Sequence, residues 1–154
     1  MLWFILYNSV LLPVLISLVF FASIFLPKLK EGLKGRFRTY DRIKLFLKKK
    51  HTSNDIYWFH AASLGEFYQV KPIIEGMKKI KKDNVMFVSF SSPSGMNYAF
   101  SDAIDLKFYL PFDFPWTIQK VLTLVKPKKV IFSTYDIWPN FVWFCKAKNI
   151  HLNI

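Results

Sequence analysis

Cysteine is almost absent from this sequence, since Cys145 is the one thiol among 154 residues. A single cysteine excludes an internal disulfide framework and any metal site built from several cysteines. Its segment is predicted to be helical and places it beside Trp143 and Phe144, so we interpret Cys145 as a buried, inert thiol. The sequence also lacks a P-loop and the G-x-G-x-x-G pattern, and we therefore predict no metal and no dinucleotide cofactor.

Charged side chains are absent from residues 1–27. Residues 2–26, LWFILYNSVLLPVLISLVFFASIFL, exceed the roughly 20 residues that a helix needs to cross a bilayer. A cleaved signal peptide is the alternative, but it requires a basic start and a small-residue cleavage site, which this run lacks. We therefore expect residues 1–27 to form an uncleaved transmembrane anchor, with Pro13 kinking the helix.

Basic residues are concentrated directly after this run. Residues 28–51 carry ten Lys or Arg against Glu31 and Asp41, a net charge of +8 out of +12 for the whole chain. By the positive-inside rule this places the following chain on the cytoplasmic side of the membrane. Residues 28–53 are predicted either as a topology signal with a solvated linker or as an amphipathic surface segment. In the second case the residues facing lipid would be Leu33, Phe37, Ile43, Phe46 and Leu47. No nucleic-acid-binding motif is present, so nucleic acid is not an expected partner.

Short apolar runs alternate with amphipathic helical patterns from residue 54 onward. The predicted strands are 55–61, 84–90, 105–110, 128–134 and 150–154, and the predicted helices are 66–82, 93–100, 114–126 and 138–148. This alternation predicts an α/β domain over 54–154, a Rossmann-like parallel sheet covered on both faces. Ligands of such sheets bind at the carboxyl ends of the strands, so the loops 60–66, 91–95, 111–115 and 134–139 form the expected functional edge.

Four loop motifs occur in order at this edge. They read His60-Ala-Ala-Ser63-Leu-Gly65-Glu66, Ser89-Phe-Ser-Ser92-Pro-Ser94-Gly95, Pro111-Phe-Asp113-Phe-Pro115 and Thr134-Tyr-Asp136-Ile-Trp-Pro-Asn140. Together with the preceding apolar helix they resemble the lipid A Kdo transferases, which transfer 3-deoxy-D-manno-octulosonic acid (Kdo). The family pattern has a glutamate where this chain has Thr134, and a second glutamate where it has the shorter Asp136.

The resemblance implies one half of a GT-B glycosyltransferase, in which two Rossmann-like domains face each other across a cleft. This chain would be the N-terminal, acceptor-side half, and the C-terminal donor domain would be absent or separately encoded. The implied substrates are CMP-Kdo and a lipid A precursor, and no cofactor is implied. Two alternatives stay open: a non-catalytic membrane-tethered module, and a GT-B enzyme that uses another sugar nucleotide.

The resemblance assigns Glu66 as the general base of an inverting transfer. Such a base takes the proton of the acceptor hydroxyl and must lie within about 3 Å of it. Local spacing favours another role, because Ser63-Leu64-Gly65-Glu66 matches a capping box at the start of a helix. A glutamate used as a cap points back to its own loop, so we expect one role or the other.

The remaining candidate residues also have a functional and a structural interpretation. Those implied to bind substrate are His60, Ser63, Gly65, Ser92, Ser94, Gly95, Asp136 and Asn140. Structurally, His60 closes a strand, Ser92 before Pro93 is a helix N-cap, and Asp136 and Asn140 mark a helix start. Asp113 is predicted to cap the 114–126 helix rather than to act in catalysis.

Overall fold

The computed structural model describes residues 2–50, 54–134 and 136–154. Three parts of the predicted features lie outside the described residues: Met1 in the anchor, residues 51–53 in the basic segment and Tyr135 in the last motif. The elements follow in the order α1 (Leu2–Leu6), a π-helical turn (Tyr7–Leu11), α2 (Leu12–Phe25), α3 (Pro27–Phe37), α4 (Thr39–Lys50), β1 (Ile56–Ala61), α5 (Leu64–Ile80), β2 (Val85–Phe90), α6 (Pro93–Tyr98), β3 (Leu106–Tyr109), α7 (Pro115–Val125), β4 (Lys129–Phe132), α8 (Pro139–Ala147) and β5 (His151–Asn153).

The strands form one sheet in the order β3-β2-β1-β4-β5, and every neighbouring pair is parallel. This order, which runs outward from β1 in both directions, is that of a Rossmann-like fold. The predicted α/β parallel sheet is therefore confirmed. Every predicted strand and helix in the sheet region ends within two residues of its observed bound.

Helices cover both faces of the sheet and create two apolar clusters. On one face α4, α7 and α8 pack over Trp58, Phe87 and Phe108. On the other, α5 and α6 pack over Phe59 and Val88. The strand aromatics are thus core side chains, as expected from their position in the pattern. Cys145 of α8 belongs to the first cluster, which confirms that the thiol is buried, and burial raises the pKa of the thiol to about 12.

The basic segment folds as α3 and α4 on the sheet domain. Leu33 and Ile43 are buried, and Phe46 and Leu47 pack against the core, whereas Phe37 is exposed. The expectation that these apolar residues face lipid is therefore wrong for all but Phe37. An amphipathic helix buries its apolar stripe against whatever apolar surface is nearest, and here that surface is the sheet.

Polar bonds pin both helices of this segment to the end of β3. Arg36 Nη1 donates to the Leu110 carbonyl at 2.9 Å, and Thr39 Oγ1 donates to the Tyr109 carbonyl at 2.8 Å. Because these bonds hold α3 beside the strand ends, basic side chains of α3 reach the functional edge of the sheet.

Residues Leu2–Phe25 form one continuous apolar helix with a wide turn near its start. By length and composition this is the one helix among the described residues that could cross a membrane. Pro13 has no N–H to donate to the carbonyl of Ser9, and Ser9 lies in the π-helical turn Tyr7–Leu11, where the Leu12 N–H donates to the Tyr7 carbonyl five residues earlier. The turn presents Tyr7 and Asn8 to the sheet domain.

Four residues join this helix to the domain through buried and part-buried hydrogen bonds, and we call them the helix clamp. Tyr7 Oη donates to Asp113 Oδ2 at 2.9 Å. The amides of Asn8 and Asn140 exchange two bonds of 3.0 and 2.7 Å. Asn140 Nδ2 also donates to the Asp113 carbonyl. The helix clamp consists of these four residues, Tyr7, Asn8, Asp113 and Asn140.

Asp113 caps a helix other than the predicted one. The N-cap of α7 is Phe114, which makes no side-chain cap bond. Asp113 instead accepts the backbone N–H groups of Asn140 and Phe141, both at 2.9 Å, at the start of α8. The prediction that it caps the 114–126 helix is wrong, because the carboxylate turns toward the neighbouring helix across the sheet edge. Burial raises the pKa of Asp113 to about 6, against the lowering effect of these donors.

We predict that Asp113→Ala lowers the free energy of unfolding by about 2–4 kcal/mol, since two helix N–H groups and the Tyr7 hydroxyl lose their acceptor. Thermal unfolding of the purified chain in detergent measures the change. Asp102→Ala in an exposed loop is the matched control and should stay within about 0.5 kcal/mol of wild type. Equal unfolding temperatures for the two variants would contradict the helix clamp.

Candidate active site

The candidate site lies where the strand order reverses, between β1 and β4. In open parallel sheets the loops at this switch point separate and leave a crevice for ligands. Backbone bonds hold the loops in register: Ser133 N–H donates to the His60 carbonyl, and Ser92 N–H donates to the Ala62 carbonyl, each at 2.9 Å. The motifs after β1, β2 and β4 are thereby brought together, as the sheet prediction requires.

Glu66 lies in the first turn of α5, with its carboxylate turned toward the β1 loop. Ser63 is the N-cap and accepts the Glu66 N–H at 3.4 Å, which is one half of a capping box. Glu66 Oε2 accepts the Ala62 N–H at 2.7 Å, one residue earlier than a capping box requires, and the Ser133 hydroxyl at 3.0 Å. The side chain therefore braces its own loop against the end of β4.

Gly65 is exposed beside Glu66, and among the described residues beyond its chain neighbours the Ser63 hydroxyl oxygen, at 3.8 Å, is the group close to where its Cβ would lie. The surface next to the carboxylate is consequently backbone, without a side chain to block an approaching group.

His60 and Asp136 form the second polar group of the site. His60 is 1 % exposed, and its Nε2 lies 3.0 Å from Asp136 Oδ2, which also accepts the Ser91 hydroxyl at 2.7 Å. Behind the ring, Nδ1 lies 2.9 Å from Ser89 Oγ, which accepts the Trp58 indole N–H at 2.8 Å. Nε2 donates to the Asp136 carboxylate, and Nδ1 lies beside two oxygens of Ser89, the hydroxyl and the carbonyl, the latter 3.1 Å away.

The ionised form of Asp136 is favoured by these donors. Burial alone would raise its pKa, but the hydrogen bonds from His60 and Ser91 outweigh burial and lower the pKa to about 2. A fixed carboxylate is thus present at the site at neutral pH.

The β2 loop starts the short helix α6. Ser92 is its N-cap and accepts the Gly95 N–H at 3.5 Å, with Pro93 at the first helical position, so the predicted cap is confirmed. Ser94 is exposed and its hydroxyl lies 2.9 Å from that of Ser92. Gly95 is buried, and a Cβ there would collide with the Phe90 ring. The backbone of the loop is therefore shaped by packing, while its hydroxyl groups lie toward the edge.

The sequence-predicted residues lie in three places in the structure, and the first is the β2 loop, which holds Ser92, Ser94 and Gly95. His60, Ser63, Gly65, Glu66 and Asp136 line the β1–β4 switch point. Asn140 lies apart from them, fully buried in the helix clamp. Asp136 and Asn140 flank the start of α8, whose N-cap is Trp138 without a side-chain bond.

Sequence reasoning missed Ser133, Ser91 and Arg36. Ser133 and Ser91 directly follow β4 and β2, so the rule that ligands meet strand ends could have identified them. Arg36 carried no local signal, because it reaches the edge from α3 through a contact 74 residues apart in sequence.

We predict that the bonds to Asp136 contribute at most about 2 kcal/mol of stability at neutral pH, since a carboxyl pKa lowered in the folded state favours folding above its ordinary pKa. The contribution is complete above about pH 4, where the carboxylate is ionised in both the folded and the unfolded chain. It is lost as the pH falls through about 2, where Asp136 is protonated in the folded chain as well. Thermal unfolding of wild type and Asp136→Asn should therefore converge on acidification over this range. Asp102→Asn, an exposed control, should run parallel to wild type, and a constant gap between wild type and Asp136→Asn would contradict the assignment.

Comparison with known proteins identifies the family. Residues 31–154 match the family described as 3-deoxy-D-manno-octulosonic-acid transferase (kdotransferase). A 3-deoxy-D-manno-octulosonic acid transferase of Aquifex aeolicus is 30% identical over 118 residues, covering 74% of this chain and 33% of that protein. One from Haemophilus influenzae is 25% identical over 158 residues, covering 96% and 34%, and one from Chlamydia pneumoniae is 30% identical over 124 residues, covering 76% and 28%.

The chain spans about a third of the length of the curated relatives it matches. The match takes in the sheet, its loop motifs and most of the basic helices, the parts that build the switch point. The chain therefore belongs to the Kdo transferase family, as a form of its N-terminal domain.

Proposed function

We propose that this chain is the acceptor-side domain of a GT-B glycosyltransferase that transfers Kdo from CMP-Kdo to a lipid A precursor. The observation that carries the proposal is the family match over 31–154, combined with the Glu66 carboxylate at the switch point of the sheet. The relatives are named for Kdo transfer, and the crevice at this point is where an open parallel sheet binds ligands.

In the proposed reaction Glu66 is the general base. The acceptor hydroxyl attacks the anomeric carbon of Kdo, its proton passes to the glutamate, and the bond from that carbon to the CMP phosphate breaks with inversion. Both hydrogen bonds to the carboxylate among the described residues fall on Oε2. We assign the proton to Oε1, so that Oε2 holds the rotamer while Oε1 faces the acceptor. Bracing the loop and accepting the proton are then divided between the two oxygens.

The neighbouring groups bind and orient the substrates. Exposed Gly65 lets the acceptor sugar approach the carboxylate. His60 and Ser91 hold the Asp136 carboxylate in place by hydrogen bonds. The negative charge of Asp136 then orients polar groups at the edge of the acceptor. Ser63 maintains the loop, and the hydroxyls of Ser92 and Ser94 contact sugar or phosphate groups. Asn140 acts at a distance, by holding α8 and the apolar helix together.

The donor side of the cleft is proposed to come from the C-terminal domain of the same enzyme or from a separately encoded half. The relatives are about three times as long as the matched region. In a GT-B enzyme the second domain supplies most of the nucleotide-sugar site, so we expect this chain to bind acceptor and to require the other half for turnover.

The apolar helix Leu2–Phe25 is proposed to span the inner membrane, with the sheet domain on its cytoplasmic side. Its length and composition permit a span, and the ten basic residues of 28–51 favour the cytoplasmic side. A lipid-linked acceptor would then meet the site at the membrane surface.

A non-catalytic membrane-tethered module is the second candidate. It is favoured by the cap-like bond from Ala62 to Glu66 and by Thr134, which replaces a family glutamate at the end of β4. A transferase that uses another sugar nucleotide fits the same acceptor side.

The test fuses this chain to the C-terminal domain of the Haemophilus influenzae relative and measures Kdo transfer from CMP-Kdo to lipid IVA. We predict that Glu66→Gln lowers kcat by about 10²–10⁴-fold, since the base is lost while the shape is kept. Ser63→Ala is the control: it removes the cap, lowers stability by about 0.5–2 kcal/mol, and leaves kcat within a few-fold of wild type.

Equal activity of Glu66→Gln and wild type would exclude the base assignment. A folded fusion that binds CMP-Kdo but transfers no Kdo would favour the non-catalytic module. If the fusion transfers a sugar from a different sugar nucleotide but not from CMP-Kdo, the transferase that uses another sugar nucleotide is favoured.

A further inference from the structure

A line of polar side chains runs from the apolar core of the sheet to the candidate active site. Trp58 and His60 are two residues apart in β1 and therefore project from the same face of the sheet. Ser89 of β2 is the residue that pairs with His60 in the register of the two strands. Trp58 and Ser89 are fully buried, and His60 nearly so. A buried hydroxyl group costs free energy unless it is hydrogen-bonded, so the bonds of Ser89 define what it does here.

Trp58 determines where the Ser89 hydroxyl can direct its hydrogen. The indole ring is held in place by edge-to-face contacts with two other core rings. Its N–H can only donate, and it lies 2.8 Å from Ser89 Oγ, so the hydroxyl oxygen accepts there and keeps its own hydrogen for another acceptor. Two acceptors among the described residues are within reach of that hydrogen, His60 Nδ1 at 2.9 Å and the Phe59 carbonyl at 3.5 Å. The nearer one is the ring nitrogen.

The other side of the His60 ring meets Asp136. Nε2 lies 3.0 Å from Asp136 Oδ2, and an ionised carboxylate can only accept, so Nε2 carries a hydrogen. A neutral ring then has its lone pair on Nδ1, facing the Ser89 hydroxyl. A charged ring would carry a hydrogen on Nδ1 as well, directed at the Ser89 carbonyl 3.1 Å away. The bond from Trp58 favours the neutral ring, because it leaves the Ser89 hydroxyl as a donor.

The charges around the ring favour the same form. Asp136 is the charged group that contacts the ring among the described residues, and Phe132 packs edge-on against it with 5.2 Å between the ring centres. Arg36 of α3 lines the same cavity as Asp136 and already supplies a positive charge to it. A second cation at His60 would be repelled by Arg36 and would cancel the charge of the carboxylate.

We propose that Trp58 and Ser89 are positioning residues, which hold His60 neutral with its Nε2–H on Asp136, so that the carboxylate keeps its negative charge toward the acceptor. The inference rests on the proposed function for the acceptor and deepens it by extending the site into the core. Neither residue touches the substrate, since both are fully buried. Trp58 acts on Ser89, Ser89 on His60, and His60 on the carboxylate. A charged carboxylate orients sugar hydroxyls more strongly than a neutralised one, because hydrogen bonds to ionised acceptors are the stronger ones.

Two substitutions each break one link of this line. Ser89→Ala removes the hydroxyl, and Trp58→Phe removes the indole N–H while keeping an aromatic ring. Ser101→Ala is the matched control for the first, because it removes a buried hydroxyl that donates to Glu75 in the loop before β3. Trp116→Phe, at an exposed ring, is the control for the second. Ser89→Thr keeps the hydroxyl and is the conservative variant.

Nitrogen-15 NMR of the full chain in detergent micelles, with labelled histidines, tests the proposal by reading the hydrogen on each ring nitrogen at neutral pH. The sequence has two further histidines, His51 and His151, so His60→Gln identifies the His60 signals. Wild type, Ser89→Thr and both controls should show a protonated Nε2 and an unprotonated Nδ1. In Ser89→Ala and Trp58→Phe the fraction of rings protonated at Nδ1 should rise about tenfold, because the hydroxyl no longer donates there.

The fused enzyme supplies the kinetic test. Ser89→Ala should raise the KM for lipid IVA about tenfold, since the carboxylate loses charge, while kcat stays within a few-fold of wild type because Glu66 is untouched. The KM for CMP-Kdo should not change. Ser89→Thr should restore the KM for lipid IVA to that of wild type.

A wild-type ring protonated at both nitrogens would overturn the proposal, and so would a Ser89→Ala spectrum equal to that of wild type. Trp58→Phe repeats the test if Ser89→Ala does not fold. A fall in kcat with unchanged KM for lipid IVA in Ser89→Ala would refute the route through Asp136. Failure of the proposed function looks different: the fused enzyme would transfer no Kdo, while the protonation of His60 would still depend on Ser89.

Discussion

The carboxylate of Asp113 is the acceptor on which the arrangement of this molecule depends. It takes two N–H groups at the start of α8 and the hydroxyl of Tyr7, so one side chain joins the sheet edge, a domain helix and the apolar N-terminal helix. Burying a charged group costs free energy unless donors surround it, and here three donors converge on it. The Tyr7 bond positions the apolar helix together with the Asn8–Asn140 pair and the packing of Phe4 and Tyr7 against Trp143.

Much of the fold could be predicted because each element is marked by local chemistry. Apolar runs mark the strands, and Ser63 and Ser92 mark the helix starts in the way that their spacing indicates. Parallel strands place their carboxyl ends at one edge, so the position of the loop motifs followed from the order of the elements. The side-chain contacts between different loops at the carboxyl ends of the strands could not be predicted from the sequence. The contact of Ser133 with Glu66 depends on the register of β1 against β4, which no local pattern encodes.

The two wrong predictions share a physical cause. Asp113 precedes α7 and was assigned to it, yet its carboxylate binds a helix that begins 27 residues later in sequence. Leu33 and Ile43 have the spacing of an apolar stripe, but spacing alone does not say whether a stripe faces lipid or protein. In both cases the local pattern identified the kind of interaction, and the tertiary packing chose the partner.

The buried state of Cys145 has a practical consequence for work on this protein. Its thiol is enclosed in the core, and its raised pKa leaves almost no thiolate at neutral pH, the form that reacts with maleimides and methanethiosulfonates. A cysteine introduced at an exposed position would therefore be the only site labelled in the folded chain. Spin labels or fluorophores could be placed along the apolar helix one residue at a time, without first removing the native cysteine, to map its depth in a bilayer.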